Sequence, residues 1–347
     1  MKTYNKIYEA NEYKNIRDVI NTSAKLYPDN KAFIIKQKNG KDIKYKNISY
    51  KNLQEQMNSL GTALYSIGLK NKRVAIIGKN RYEWILTYIA VINGSGITVP
   101  LDKGLKEEEI ISCLLRSKSD AIVFEKEYLQ IIKNAISNNQ LNVQKYICMD
   151  DIEEDGIIKF NDLLEQGSKL LTNGNTEYLD EKIDENKMAT IIFTSGTTSQ
   201  SKAVMLSHKN IACNITDMQY TEKIYDTDVN MAFLPFHHTF GSTGILYFLS
   251  NGATNVFCDG LRHIQTNLVE YKVSVFVCVP LLLEAMYKKI ITGIEKQGKI
   301  KTVNFALKLS NFLLKFGIDI RRKLFKDIIN GLGGNLRFII SRSICTR

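Results

Sequence analysis

The sequence predicts an α/β fold built on a parallel sheet covered by helices. Three observations predict it. Runs such as RVAIIG (73–78), DAIVFE (120–125), MATIIFT (188–194) and VSVFVCVP (273–280) are nearly continuously apolar, as strands buried on both faces are. Segments with helical apolar spacing alternate with them, which is the pattern of βαβ units. The chain has 347 residues, 44% of them hydrophobic, enough for two or three domain-sized units or one large α/β domain.

The elements follow in order. Residues 14–27 (KNIRDVINTSAKLY) have helical spacing. AFIIKQ (32–37) and IKYKNISY (43–50) read as a hairpin of strands. Ser49 is placed to open a helix over 50–67, ended by Gly68. RVAIIGKN (73–80) is a short buried strand, WILTYIAVINGS (84–95) a helix and ITVPLD (97–102) the next strand. Residues 107–117 are helical, 120–125 a strand, 129–138 a helix and KYICMD (145–150) a strand. The acidic, polar stretch 151–187 reads as a helix and a surface loop. MATIIFT (188–194) is a buried strand, and a helix starts at Lys209. VNMAFLP, NGATNVFC and VSVFVCVP are further buried strands, and LRFIIS (336–341) is the last. Residues 302–330 form an amphipathic helical region rich in Leu, Phe and Lys. Two readings apply to it: a membrane-surface helix, or, favoured by ordinary helix behaviour, a Leu/Phe face packed on the core.

Composition removes several classes. The net charge of +11 is compatible with an acidic partner, but Lys is spread along the chain and no dense basic block with interleaved aromatics exists. Nucleic-acid binding is therefore not expected. The six cysteines (113, 148, 213, 258, 278, 345) form no CxxC pair and mostly sit in apolar runs, so free thiols in a reducing cytoplasm are expected rather than disulfides or zinc. The N-terminus has no apolar h-region, so no signal peptide is expected. No uncharged apolar stretch approaches the roughly 18 residues of a membrane span.

Two stretches carry chemistry. Thr190–Asn210 reads TIIFTSGTTSQSKAVMLSHKN. An apolar strand delivers Thr194, Ser195, Gly196, Thr197, Thr198 and Ser199, a dense set of hydroxyls and backbone N–H groups able to form a concave anion site. Lys202 adds a mobile cation. A Walker-type loop needs a second Gly before its Lys and a Ser or Thr after it, and Ser201 and Ala203 stand there instead. A different nucleotide loop and a plain polar turn both remain open on these residues alone. LPFHHTFG (234–241) holds two of the four histidines. On an extended segment adjacent side chains point opposite ways, so one of His237 and His238 would line a pocket. No metal-ligand spacing surrounds them, and the metal ligands stay unassigned. Asp102 and Lys103 follow a strand end, where α/β ligand clefts lie, but a turn residue is the simpler reading of Asp102.

Together these motifs resemble the adenylate-forming superfamily of AMP-dependent synthetases and ligases, most closely bacterial long-chain acyl-CoA synthetases. TSGTTSQSKAVMLSHKN is similar to the family's phosphate signature and LPFHHTFG to its second core motif. ISYKNLQEQMNSLGTALYSIGLKNKRVAIIGKNRYEWILTYIAVINGSGITVPLD resembles its N-terminal region. The resemblance implies the layered parallel-sheet α/β fold of the large N-terminal domain of those enzymes, incomplete, with residues 1–341 as a partial AMP-binding domain. Residues 342–347 depart from the pattern where a Gly-Gly-Ala segment is expected, and the motifs beyond it and the small C-terminal domain are absent. A truncated chain with little activity alone is therefore expected.

The implied reaction activates a fatty acid with Mg-ATP to acyl-AMP and pyrophosphate, and the thiol of coenzyme A then displaces AMP. Thr194, Ser195, Gly196, Thr197, Thr198, Ser199 and Lys202 would hold the ATP phosphates. His238 would be the catalytic residue at the acyl and adenylate pocket, with Phe240 and Gly241 helping to shape the acyl channel. The implied ligands are Mg2+, ATP, coenzyme A and a fatty acid, in the cytoplasm, with peripheral contact at the inner membrane face left open. Alternatives are loading of a carrier protein by a fatty acyl-AMP ligase and a non-catalytic nucleotide-binding remnant.

Overall fold

The computed structural model describes residues 6–40, 42–194 and 201–341. Among them lie thirteen strands: β1 (Lys31–Asn39), β2 (Asp42–Ser49), β3 (Arg73–Ile77), β4 (Ile97–Leu101), β5 (Ala121–Phe124), β6 (Lys145–Cys148), β7 (Ile157–Lys159), β8 (Met188–Thr194), β9 (Lys202–Ser207), β10 (Val229–Ala232), β11 (Thr254–Phe257), β12 (Val275–Cys278) and β13 (Phe338–Ser341). The α-helices are α1 (Ile16–Leu26), α2 (Tyr50–Ser66), α3 (Tyr82–Ile92), α4 (Glu107–Ser117), α5 (Leu129–Ser137), α6 (Phe160–Thr172), α7 (Glu177–Asp180), α8 (His208–Thr221), α9 (Thr239–Ser250), α10 (Ile264–Glu270), α11 (Pro280–Lys296), α12 (Ile300–Leu314), α13 (Arg321–Leu324) and α14 (Lys326–Gly331).

Two compact units result. The first holds the described residues up to Thr227 together with Leu234–Phe257; the second holds Asp228–Phe233 and the described residues from Cys258 onward.

In the first unit a seven-stranded sheet runs in the order β7-β6-β5-β3-β4-β8-β9. Its strands are parallel except β9, which returns antiparallel to β8 at the edge. Ala75 and Ile77 of β3 join Val99, Leu101, Ile122 and Phe124 in a core closed by Ile110, Cys113 and Leu114 of α4 and Ile132 of α5. Val74 and Ile76, which alternate with them, are equally buried. Both faces are thus covered, which is why these strands read as continuous apolar runs. Serine at position 49 caps α2, its side chain accepting from the Asn52 amide. Where α6 crosses α2, a Cβ on Gly167 would stand 1.7 Å from the Ser59 carbonyl oxygen, so only glycine permits this approach. The β1–β2 hairpin is antiparallel, and β1 also pairs in parallel with β11.

In the second unit β10, β12 and β13 pair in parallel. Arg337 and Asp228 clamp the strand starts. The Arg337 Nε donates to Asp228 Oδ1 at 2.9 Å, and the Ser274 hydroxyl donates to the same oxygen at 2.7 Å. The Arg337 amide donates to the Ser274 carbonyl at 2.7 Å.

The sequence places no element at β7, β9, α9, α10 or α11. The expected amphipathic helix over 302–330 is three helices, interrupted where Gly317 takes φ +77°. Its Leu/Phe face is not buried as expected: Ser310 is the one buried residue of α12. The physical reason is that α12 is apolar on two sides, and only one can face the unit. Cys113, Cys148, Cys213, Cys258 and Cys278 are free; Cys345 lies outside the described residues.

Candidate active site

In the first unit β5, β3, β4 and β8 are neighbours in the sheet and parallel, so their carboxyl ends share one edge. This is the edge at which open α/β sheets bind ligands. Thr98 lies opposite Thr190, a register that carries the ends of β4 and β8 to the same level.

An ion-pair network fixes the outer part of this edge. Arg81, just past β3, donates through Nη1 to Glu125 Oε1 at 3.1 Å and to Asp150 Oδ1 at 2.7 Å. The Lys79 amide donates to Glu125 Oε2 at 2.8 Å. Burial pushes the Asp150 carboxyl up, but hydrogen bonds from Arg81 and the Lys126 amide overcome it and hold it below the usual range. Glu125 and Asp150 follow β5 and β6, so the strand ends are tied laterally.

Between Arg81 and this edge stands Asn80, which grips the His-His segment. Its Nδ2 donates to the Leu234 carbonyl at 2.7 Å, and its Oδ1 accepts from the Phe236 amide at 3.1 Å. Phe236 is buried, its ring 5.3 Å from Trp84 and 6.3 Å from Phe257. Leu234–His238 is therefore a pinned turn. The expectation that the two histidines point opposite ways fails for that reason: alternation belongs to strands, and here the ring centroids are 4.1 Å apart at 50°.

The two histidines differ in surroundings. His237 is buried, with Nε2 3.4 Å from Asp102 Oδ2. That is ion-pair distance without hydrogen-bond geometry, and among the described residues Nε2 has no hydrogen-bond partner. Burial pushes the His237 ring down to about 4, His238 adds to the fall, and Asp102 opposes it. His238 is exposed and is the N-cap residue of α9. Its carbonyl accepts from the Gly241 amide at 2.9 Å and the Ser242 amide at 3.0 Å. Phe240 is half-buried, and Gly241 is buried where a Cβ would stand 2.2 Å from the Pro235 carbonyl oxygen. Glycine here lets the first turn of α9 close on the His-His turn.

Thr194 ends β8 and pairs with Lys202, which begins β9; both are exposed. The two residues are thus paired stems at the edge beside β4. Ser195, Gly196, Thr197, Thr198 and Ser199 lie outside the described residues. Arg116 of α4 secures the returning stem, donating through Nη2 to the Ser201 carbonyl at 2.6 Å and through Nη1 to its hydroxyl at 3.1 Å. Its guanidinium also lies 5.3 Å from the Phe193 ring centroid. Asn80 and Arg116 carry no signal in the sequence, because their partners are distant along the chain, and the expectation for Asp102 is a turn residue. Asp102 is that as well, since its Oδ1 accepts from the Gly104 amide at 2.9 Å.

The described residues offer the paired ends of β8 and β9 with a cation, Lys202, on one of them, a helix N-terminus and two histidines, all in the first unit. Helix N-termini and Lys favour anions. Among the described residues no group of three or more His, Cys, Asp and Glu is gathered to hold a metal ion. An Mg2+ entering with a nucleotide would be held chiefly by its phosphates and waters.

The family described as AMP-binding enzyme matches residues 20–340. The chain belongs to that family. Among curated relatives, fatty acyl-CoA synthetase B of Dictyostelium discoideum is 26% identical, over 96% of this chain and 52% of its own length. The long-chain-fatty-acid–CoA ligase 5 of Rattus norvegicus is 28% identical, over 86% of this chain and 46% of its own length. The chain thus spans about half the length of these relatives. A long-chain-fatty-acid–CoA ligase of Archaeoglobus fulgidus shares the fold, with a TM-score of 0.71 at 18% identity, over 84% of this chain and 57% of that one. The fold of the described residues is accordingly that of the N-terminal part of adenylate-forming enzymes. Among the described residues no helix is long and apolar enough to cross a membrane.

Proposed function

We propose that the chain is the nucleotide- and acyl-gripping part of an ATP-dependent long-chain fatty acid–CoA ligase. The supporting observation is the shared edge: the stems Thr194 and Lys202 rise beside β4, while Asn80, just past β3, grips the His237–His238 turn and Asp102, at the end of β4, lies 3.4 Å from His237. In this reading Thr194, Ser195, Gly196, Thr197, Thr198, Ser199 and Lys202 take the β- and γ-phosphates of Mg-ATP. Charge developing on pyrophosphate as the acyl carboxylate attacks the α-phosphate is stabilised there. His238 lies at the acyl-adenylate pocket, which Phe240 and Gly241 help to shape. Coenzyme A then takes the acyl group, releasing AMP. The two compact units are parts of one AMP-binding domain, since the family match runs through both. Peripheral contact with an anionic membrane surface, from which a long-chain acid would be drawn, belongs to the same reading.

Calorimetry of Mg-ATP binding to the purified chain tests it. Saturable binding is expected, weakened about tenfold in Lys202→Ala, as loss of one charge-assisted phosphate contact gives. Absence of binding overturns the reading. Palmitate-dependent ATP–pyrophosphate exchange tests the chemistry separately. Steady formation of ADP instead of AMP would point to a hydrolase.

A further inference from the structure

Helix α12 and the turn after it carry two apolar stripes. Val303, Ala306 and Leu313 are half-buried and Ser310 is fully buried, so this stripe faces its own unit. Val303 and Ala306 also line a cavity of about 710 Å³ there, with Met286, Ile290 and Ile294 of α11. The other stripe is Phe305, Leu309, Phe312 and Phe316, spaced four, three and four apart and therefore on one helical face. These side chains are 68, 37, 57 and 68% exposed. Phe312 and Phe316 meet edge to face with centroids 5.2 Å apart, so the stripe is an exposed apolar ridge with an aromatic pair at one end.

Charge identifies what this ridge meets. Lys301, Lys308 and Lys315 recur every seven residues and so form a row of their own, one step round the helix from the ridge. All three are exposed, and none has an ion-pair partner among the described residues. Between Leu281 and Leu336 there are eleven Lys and Arg against four Asp and Glu, so this segment supplies most of the chain's net charge of +11. Arg322 and Lys323 of α13 add to the basic surface, while Arg321 is paired with Asp319. An aromatic stripe bordered by a lysine row is the pattern of a helix lying in a membrane interface, rings at the acyl boundary and ammonium groups among anionic headgroups. A second copy of the chain would instead oppose two basic surfaces.

We propose that the outer face of α12 docks the protein on an anionic lipid surface, with Phe305, Leu309, Phe312 and Phe316 inserted and Lys301, Lys308 and Lys315 at the headgroups. The inference deepens the peripheral-contact part of the proposed function and rests on it, but vesicle binding is read without nucleotide or acyl chemistry. The test is flotation of the purified chain with phosphatidylglycerol and with phosphatidylcholine vesicles. Binding to phosphatidylglycerol alone is expected, falling with added salt. A variant with all three lysines changed to Gln should bind on the order of a hundredfold more weakly, at roughly fivefold per lysine. Phe305→Ser with Phe312→Ser should abolish flotation while circular dichroism and Mg-ATP binding stay unchanged, since both rings are exposed. Equal binding to both lipids, or unchanged binding in either variant, overturns the proposal. So does a dimer in sedimentation that the Phe variant dissolves without any vesicle binding by the parent chain.

Discussion

His237 Nε2 stands 3.4 Å from Asp102 Oδ2, bringing the end of β4 against a turn 135 residues further along the chain. The ring is buried and its Nε2 has no hydrogen-bond partner among the described residues. The carboxylate is the group opposing the fall of the His237 pKa to about 4. Asp102→Asn should therefore lower that pKa further, read from the ring resonances in an NMR titration. An unchanged midpoint would mean that the carboxylate is too well solvated to act on the ring.

Acid should loosen the first unit through two histidines. Burial lowers both His208 and His237 to about 4, with Asp184 opposing the shift at His208 and Asp102 at His237. The unfolded chain binds these protons near the ordinary value of about 6.5, so it gains on the folded state as pH falls. Stability should be full above about pH 6.5 and decline until about pH 4, by on the order of 2–3 kcal/mol for each histidine. Urea unfolding at several pH values measures it. His208→Gln should flatten part of the slope, and a flat profile in the parent chain would contradict the assignment.

The buried parallel strands were legible because burial on both faces leaves a continuous apolar run, as in RVAIIG and DAIVFE. Helix α4 reads off directly from its acidic first turn and its apolar spacing. Strand β9 was hidden because it is an edge strand with its first four residues exposed, so KAVMLS shows no burial pattern. Helix α9 was hidden by its two glycines, which lower helix propensity, although the first of them, Gly241, permits the close approach to Pro235. At the site, the His-His motif and the loop stems are visible as residue types. The groups that fix them are not, because Asn80 meets Leu234 and Arg116 meets Ser201 only through sheet topology.

Asn80 should act as the clamp of the His-His turn. Asn80→Ala removes a donor to the Leu234 carbonyl and an acceptor from the Phe236 amide, at a cost of about 2 kcal/mol. Hydrogen exchange at the Phe236 amide should accelerate. Asn80→Asp keeps the acceptor and loses the donor, so it should restore protection of Phe236 while leaving part of the destabilisation. Equal exchange in parent and Asn80→Ala chains would show that the Phe236 ring alone holds the turn.

Gly241→Ala should be among the more damaging single-methyl changes. The added Cβ would stand 2.2 Å from the Pro235 carbonyl oxygen and 3.0 Å from that of Leu234, both rigid backbone atoms. Relief requires α9 to shift away from the turn, at about 3 kcal/mol. A fall in the urea midpoint at unchanged slope measures this. A loss below about 0.5 kcal/mol, the ordinary surface range, would show that α9 moves freely.

Arg116 separates loop positioning from stability. It reaches β8 and the residue just before β9, contacting the Phe193 ring and the Ser201 carbonyl and hydroxyl. Because these contacts are largely exposed, Arg116→Ala should cost less than about 1 kcal/mol of stability. The effect should appear in the ligand, since Ser201 directly precedes Lys202 and loosening this stem raises the ordering needed to grip phosphate. Mg-ATP affinity should fall about threefold to tenfold. Lys at this position cannot make the forked contact or stack as Arg does, so Arg116→Lys should recover little. Full affinity in Arg116→Ala would show that this contact does not position Lys202 for phosphate.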